Sequence, residues 1–467
     1  MQQKWESFVF EWETREIFLF FDSRGLRVSA AYYRLLMDAD LLSPSRSDLR
    51  AVHSRKAFFW LTIYLGTLAA LGPLAIDMYL PAFPRIAGDF SANVPDIQRT
   101  LASYFIGLAL GQLVYGPLAD RLGRKTPLYA GLALFTLGSV GCAMAWGVKS
   151  LTVIRFVQAL GGCAEMVIAR AIVRDLFDER QSAKVFSSLL LVMGLAPILA
   201  PLLGGWMAGQ WGWRSIFWFH ACAGLATLTS TALFFRESHP VERRIRQSVG
   251  EIARTAGFLL RHREFMLHAM TVSIGTTGLF AYVGGSPYVF QNIFYISEAS
   301  FGFYFGPIAC GIIGMSQVNG FLAGRFDIRR ILRTALCVNA LAGVLLLIDA
   351  LTGFGGFWGI YCPLWLFIAT MGFVFPNTTV LAMSPHARIA GNASAVLGFL
   401  QFGISAVGGL LVSSLQNSQK VPTALPMAGM IAICSVVALG INFCTRSGAV
   451  KVEATEEAEA SVIAGEI

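Results

Sequence analysis

The sequence GPLADRLGRKTPL, residues 116–128, lies between two long apolar runs and carries four charged side chains within six residues. The runs on either side, 99–119 and 126–147, each have about 20 residues, which is enough for a helix to cross a bilayer core of roughly 30 Å. A short loop rich in arginine between two such runs is typical of the cytoplasmic side of a membrane protein. The stretch therefore predicts a helix–loop–helix unit that turns at the inner membrane face.

The whole chain has the composition of a membrane protein. Of its 467 residues, 55% are hydrophobic and 14% are charged, and the mean hydropathy is +0.61. A soluble domain has roughly 25% charged residues. We predict an all-α polytopic membrane protein with twelve spans, at residues 57–87, 99–119, 126–147, 150–174, 184–209, 212–235, 265–291, 300–322, 331–352, 356–381, 391–412 and 422–445.

One polar connection, residues 236–264, divides these spans into six and six. We interpret 57–235 as a first six-helix bundle and 265–445 as a second, joined by a cytoplasmic linker. The linker pattern favours an amphipathic helix that lies on the membrane surface.

The two ends of the chain are predicted to be cytoplasmic. Residues 1–56 form an N-terminal extension and 446–467 a tail. Residues 1–36 contain no apolar run long enough for a span and no small-residue cleavage site. We expect them to be disordered or foreign to the native protein, with a helix on the membrane surface as the alternative.

The distribution of lysine and arginine sets the orientation. With a cytoplasmic start, the predicted inner loops hold 18 of these residues and the outer loops hold 5. This asymmetry places both termini inside. The net charge of +8 follows from the same topology, and because the basic residues are spread over short loops we expect no nucleic-acid partner.

Several other classes of protein are disfavoured by missing motifs. The eight cysteines show no CxxC spacing and no cluster with histidines, so we expect no metal site and no disulfide framework. The chain has no G-x-x-x-x-G-K-[ST], H-E-x-x-H or G-x-S-x-G motif, which argues against an enzyme.

The opening stretch resembles the signature loop of the major facilitator superfamily. The residues that carry the resemblance have the spacing G-x-x-x-D-R-x-G-R-K, and they are Gly116, Asp120, Arg121, Gly123, Arg124 and Lys125. A degraded copy, GFLAGRFDIRRIL at 320–332, has Gly324 in place of the aspartate. Such an internal repeat is what two homologous halves would leave. The resemblance implies two pseudo-symmetric six-helix bundles.

Charged residues inside the spans are functional candidates, because ionised groups at membrane depth are costly. Asp77 lies in the apolar run of the first span, and Arg155 lies near the outer end of the fourth. Gln158 shares a helix face with Arg155, being three residues away. The R-x-x-Q-x-x-G pattern resembles a superfamily motif associated with proton coupling. The alternative for Arg155 is a side chain that reaches the outer surface.

Span five contains GLAPILAPLLGGW at 194–206, with two prolines and a glycine pair. The pattern resembles the antiporter motif of drug/proton exchangers, although Ala200 stands where that motif usually has glycine. Small residues also simply permit close helix packing, which is the structural alternative. The motif residues are Gly194, Pro197, Pro201, Gly204 and Gly205.

Three further segments narrow the resemblance to the bicyclomycin-resistance (Bcr/CflA) type of drug/proton antiporter. They are AIDMYLPAFP at 75–84, ARAIVRDLF at 169–177 and AGNASAVLGFLQ at 390–401. Glu165 departs from this pattern, since a small residue is expected there. We interpret Glu165 either as a second titratable group in the cavity or as a tolerated substitution that faces a polar partner such as Arg170.

The resemblance implies a proton-coupled multidrug efflux transporter in the bacterial inner membrane. Its partners would be protons, lipid and small amphipathic drugs, it would need no cofactor beyond the proton gradient, and it is expected to be a monomer. Asp77 would take up and release the proton, tuned by Arg155, with Glu165 as a tentative second site. The alternatives are an exporter of a metabolite such as an amino acid or peptide, and a sensor that does not transport. Candidates for the cavity lining are Met78, Tyr104, Gln158 and Tyr282.

We also expect an inner gate. In a two-fold arrangement spans two and eleven are neighbours, and the first amides of span eleven, near residues 390–392, carry partial positive charge. Asp120 should dock there when the transporter is open to the outside. Gly324 has no side chain with which to repeat this contact in the second half.

Overall fold

The computed structural model of the chain describes residues 20–22, 25–27, 55–244, 248–419 and 421–445. Two short strands, β1 (Phe20–Asp22) and β2 (Gly25–Arg27), pair antiparallel, with Phe20 opposite Arg27. Most of the predicted N-terminal extension and all of the predicted tail lie outside the described residues, so the predictions for 1–36 and 446–467 stay predictions.

The rest of the described chain is helical, and all twelve predicted spans appear as helices. By length and hydropathy, the described residues contain eleven helices able to cross a membrane, and one of these, Gly356–Asn417, contains two spans joined by a short 3₁₀ segment. The helices are α1 (Arg55–Asp77), α2 (Phe83–Asp89), α3 (Val94–Leu122), α4 (Lys125–Ala143), α5 (Val148–Leu176), α6 (Glu179–Trp211), α7 (Arg214–Phe234), α8 (Val249–Arg261), α9 (Arg263–Pro287), α10 (Glu298–Ala323), α11 (Ile328–Thr352), α12 (Gly356–Met383), α13 (Ala390–Asn417) and α14 (Leu425–Phe443).

The first span is broken, as its prolines predict. Helix α1 ends at Asp77, a 3₁₀ turn follows at Leu80–Ala82, and α2 completes the span. Pro81 and Pro84 lie at the starts of these two later segments, where a missing amide hydrogen costs no helical hydrogen bond. The break therefore comes directly after the lone carboxylate of this span.

The two halves of the molecule meet along two helix pairs. Helix α3 packs against α13, and α6 packs against α10. These are the second and fifth spans of one half against the fifth and second spans of the other, the relation that a two-fold axis between homologous halves produces. The predicted neighbourhood of spans two and eleven is thus confirmed.

Contacts between the halves are concentrated toward the face that the positive-inside rule predicts to be outer. Near that face Asn93 donates to Asn417 at 3.2 Å and Arg99 to Ser413 at 3.2 Å. Toward the inner face, Gly116 and Gly391 have open space where a side chain would start. Gly116 is one turn below Gln112, which still contacts α13 at Gly398. Open space at these two positions indicates that the halves diverge here. We therefore interpret this conformation as closed outside and open inside.

The linker helix α8 packs against the protein. A capping box between Ser248 and Glu251 starts the helix. Leu259 on its apolar face is fully buried in a cluster with residues of α9 and α13, such as Phe265 and Val396. The linker is thus an amphipathic helix, and the inner end of the second half covers its apolar face. Its position on the membrane surface stays a prediction.

Candidate transport and proton-coupling site

Asp77 is the last residue of α1, and its side chain is buried, with 6% of the residue exposed. The C-terminal end of a helix carries partial negative charge, so a carboxylate here gains nothing from the helix dipole. Met78, the next residue, is fully buried at the break. The 3₁₀ turn that follows, Leu80–Ala82, contacts α9 and α10, so this carboxylate lies near the second half.

Arg155 is fully buried in the first half, and the alternative of a side chain reaching the outer surface is therefore wrong. Its guanidinium donates to Gln158 Oε1 at 2.8 Å and to the carbonyl of Ala75 at 3.0 Å. Ala75 is two residues before Asp77 in α1. Within the described part of the chain, the ion pairs do not include one between Arg155 and a carboxylate. The link from Arg155 to Asp77 runs through the backbone of α1.

Aromatic rings enclose the same guanidinium. The Arg155 carbon Cζ lies 4.5 Å from the ring centroid of Tyr79, 4.2 Å from that of Tyr104 and 5.7 Å from that of Phe217. A cation over an aromatic face is stabilised by the ring quadrupole, most strongly where water is excluded. These contacts compensate part of the desolvation of a charge that has no carboxylate partner. Sequence reasoning missed Tyr79 and Phe217, although Tyr79 is only two residues beyond Asp77.

Gln158 extends the polar network into the helix packing. Its amide donates to Ser139 Oγ of α4 at 2.8 Å, and Ser139 donates to the carbonyl of Phe135 at 2.7 Å. Every step of this chain is buried. The network fixes the Gln158 amide so that its oxygen faces Arg155, which is what a precise orientation of the guanidinium requires.

Glu165 is fully buried in α5, and neither carboxyl oxygen has a hydrogen-bond partner among the described residues. Arg170 instead donates to the carbonyl of Met166 at 2.9 Å. The interpretation that Glu165 faces Arg170 is therefore wrong, because the arginine points to its own helix backbone.

The four residues predicted to line the cavity are all buried in this conformation. Tyr104 and Gln158 form part of the shell of Arg155, and Met78 packs at the break of the first span. Tyr282 stacks on Phe305 with centroids 5.1 Å apart. That these four side chains line the transport cavity stays a prediction.

The antiporter motif brings α6 against two other elements. Gly204 touches the carbonyl of Met78 at the break of the first span, and Gly205 touches the carbonyl of Glu298 at the start of α10. A methyl group at either position would overlap these backbone atoms. Further along α6, Gly194 faces Ile313 of α10. Pro197 and Pro201 lie inside the continuous helix α6. The glycine pair therefore joins the segment after Asp77 to the second half.

The signature loop is held by carboxylates. Arg124 is buried and forms ion pairs with Asp120 at 2.5 Å and with Asp175 of α5 at 2.8 Å. Gly123 has φ = +90°, a conformation that glycine adopts without strain. Arg121 is exposed. Lys125 lies over the ring of Tyr129 at 5.6 Å.

Glu237, which follows α7, was not predicted as part of this loop. Its carboxylate accepts from the backbone amides of Arg124 at 2.8 Å and Lys125 at 3.1 Å. These amides are at the start of α4, where no helical acceptor is available. Asp120 was predicted to dock on the start of span eleven in the outward-open state. In this inward-open structure its ion-pair partner is Arg124, and the docking stays a prediction.

Comparison with known proteins identifies the family. The family model of the Major Facilitator Superfamily matches residues 65–412. The chain is 37% identical over 379 residues to the "Uncharacterized MFS-type transporter YdgK" of Bacillus subtilis, covering 81% of this chain and 93% of that protein. It is 31% identical to the "Bicyclomycin resistance protein homolog" of Haemophilus influenzae, with 83% and 96% covered. It is 29% identical to the "Multidrug resistance protein MdtL" of Shigella dysenteriae, with 80% and 92% covered.

Solved structures give the same fold at low sequence identity. The xylose transporter XylE from Escherichia coli, in a partially occluded inward open conformation, superimposes with a TM-score of 0.65 at 13% identity, covering 84% of this chain and 99% of that one. A bacterial homologue of the lysosomal transporter Spinster, in an inward-facing conformation, gives 0.65 at 14% identity, with 84% and 97% covered. The resemblance seen in the sequence motifs is confirmed, and the chain belongs to the major facilitator superfamily, a family of membrane transporters and not of enzymes.

Proposed function

We propose that this protein exports small amphipathic compounds, bicyclomycin- or chloramphenicol-like, in exchange for protons. The observation that carries the proposal is the position of Asp77, a buried carboxylate at the break of the first span and near the second half. Intramembrane carboxylates that face a bundle interface commonly serve proton transfer. The curated relatives named for bicyclomycin and multidrug resistance support the substrate class.

In the proposed cycle, Asp77 binds a proton from the outside and releases it inside. The Arg155 guanidinium of α5 donates to Gln158 and to the carbonyl of Ala75, two residues before this carboxylate. If α1 moves between states, the distance from this fixed charge to Asp77 changes, and with it the proton affinity of the carboxyl. A proton gains about 2.3 kcal/mol per 100 mV of membrane potential and about 1.4 kcal/mol per pH unit.

Glu165 is proposed as a second proton site. An ionised carboxylate without a partner is costly to bury, so the neutral acid suits the surroundings found here. Tyr104 packs on the Arg155 guanidinium, and its hydroxyl lies against Gly162, three residues before Glu165 in α5. This acid therefore lies near the coupling network.

The proposal also covers the membrane in which the protein lies, the side of its termini and its partners. We place the protein in a bacterial inner membrane with both termini cytoplasmic, on the strength of the lysine and arginine asymmetry and of its bacterial relatives. It acts as a monomer with lipid, protons and the exported compound as its partners, and it needs no cofactor.

The test is uptake into inverted membrane vesicles energised by a proton gradient. Vesicles that contain the protein should accumulate chloramphenicol or bicyclomycin, and a protonophore should abolish the accumulation. Vesicles without the protein are the control. Accumulation of amino acids or dipeptides in place of drugs would favour the metabolite exporter, and no accumulation of any compound would favour a sensor that does not transport.

A further inference from the structure

An ion pair at the outer face joins the two halves. Arg85 of α2 lies with its Nε 3.2 Å from Glu298 Oε1 of α10. The same guanidinium also donates to the carbonyl of Ala208 near the end of α6. Arg85 therefore ties together three elements, two from the first half and one from the second. We propose that Arg85 and Glu298 form an outer latch, a pair that must separate before the transporter opens outward.

The position of the pair supports a role in gating. Arg85 follows the break of the first span, and Asp77 precedes it, so one short segment carries both the proposed proton site and the latch. Gly204 and Gly205 are adjacent residues of α6. Gly204 contacts this segment at Met78, and Gly205 contacts the start of α10 at Glu298. A movement of the segment after Asp77 therefore changes the position of Arg85 relative to Glu298.

The surroundings of Glu298 leave Arg85 as its charged partner. Among the described residues, Arg85 is the charged group that acts on this carboxyl. Around this ion pair, α6 contributes Gly205 and the backbone carbonyl of Ala208, and the 3₁₀ turn contributes Pro81. The pair is partly exposed, with 38% of the Arg85 side chain and 21% of the Glu298 side chain accessible. Its strength must therefore depend on ionic strength.

The closed outer face also buries polar groups that lack partners. The amides of Gln98 in α3 and Gln416 in α13 are each 2% exposed, and none of their nitrogen or oxygen atoms has a hydrogen-bond partner in the described part of the chain. Gln98 lies against Gly284 of the second half. Buried amides without partners disfavour the closed state, so contacts such as the Arg85–Glu298 pair are needed to hold it.

The test is a distance measurement across the outer face by pulsed electron paramagnetic resonance. Spin labels at Gln210 and Ala299, both exposed, report on the separation of α6 from α10. The labels require a variant without the eight native cysteines, all of which are free. In Glu298→Gln the population with the longer distance should rise about two- to fivefold, the range expected for a partly exposed ion pair. Arg85→Gln should give the same shift.

The matched control is Asp89→Asn. Asp89 forms an ion pair with Arg214 at 3.3 Å on the same face, but both residues belong to the first half. This variant should keep the wild-type distances. Raising the salt concentration should open the wild-type protein and leave Glu298→Gln unchanged, a response that a loss of packing would not produce.

Three results would overturn the latch. They are wild-type distances in both latch variants, an equal shift in the control, or an equal salt response with and without Glu298. The inference rests on the proposed function only for the role of Asp77. Because the measurement uses neither drug nor proton gradient, a failure of the latch is distinguishable from a failure of drug/proton exchange.

Discussion

The guanidinium of Arg155 lies 4.2 Å from the ring centroid of Tyr104 while it donates to Gln158 and to the backbone of Ala75. A buried cation is thus held by aromatic faces, an amide and a carbonyl, with one of its hydrogen bonds directed at the helix that ends in Asp77. The site therefore depends on the orientation of the Arg155 guanidinium as well as on its charge.

Arg155→Lys should abolish coupled transport. A lysine ammonium is a point charge without a planar fork, so it cannot stack on Tyr104 and donate in the same two directions. Drug accumulation in inverted vesicles should fall by about tenfold or more, at comparable amounts of inserted protein, since loss of one buried charge-assisted hydrogen bond costs roughly 1.5–3 kcal/mol. The control is Arg254→Lys at an exposed position of the linker helix α8, which should transport normally. Full transport by Arg155→Lys would show that charge alone suffices.

Glu165→Gln should reduce the number of protons exchanged per drug molecule without unfolding the protein. The amide has the shape of the neutral acid but cannot release a proton. Because the carboxyl oxygens have no hydrogen-bond partner among the described residues, the substitution removes no hydrogen bond found here. The measurement compares drug and proton fluxes in proteoliposomes at fixed membrane potential. An unchanged flux ratio would remove Glu165 from the coupling mechanism.

Gly204→Ala should destabilise the protein and impair transport. The added methyl group would overlap the carbonyl of Met78 at the break of the first span. Overpacking of this kind costs typically about 1–3 kcal/mol, which should lower the midpoint of thermal unfolding in detergent. Gly209→Ala on the same helix is the matched control, since open space surrounds that position. Equal stability of the two variants would mean that α6 tolerates a larger separation from the break.

Glu237→Gln should weaken the inner loop. The carboxylate accepts from two amides at the start of α4, where a negative charge is favourable. Its loss should cost about 0.5–2 kcal/mol and make the loop more accessible to proteolysis near Gly123. Glu242→Gln, at an exposed carboxylate of the same connection, is the control. Equal protease resistance of both variants would contradict the capping role.

The positions of the spans could be predicted from the sequence because each needs only a long apolar run. The motif spacing also brought Arg155 and Gln158 to one helix face, since residues three apart are neighbours in any helix. The same rule does not show which neighbouring elements the side chains of Arg155 and Gln158 face. The neighbours of Arg155 include Tyr79, at the turn after α1, and Phe217 in α7, elements that meet only when the first half is packed.

Contacts between segments that are far apart in the sequence could not be predicted from the sequence. Arg85 and Glu298 are 213 positions apart, and Glu237 lies 113 positions after Arg124. A lone arginine in an outer loop looks like a solvated charge until the second half is placed against it. The packing of the linker helix on the second half was not predicted for a similar reason, since an apolar stripe does not reveal whether lipid or protein covers it.

The central claim is that Asp77 carries the exchanged proton, and substrate-driven proton flux in proteoliposomes tests it most directly. Addition of drug should move protons across the membrane with the wild-type protein. In Asp77→Asn, drug binding should persist because the amide keeps the shape of the side chain, while proton movement and uphill drug accumulation should both be lost. Continued accumulation of drug against its gradient by Asp77→Asn would contradict the account and place the coupling site elsewhere.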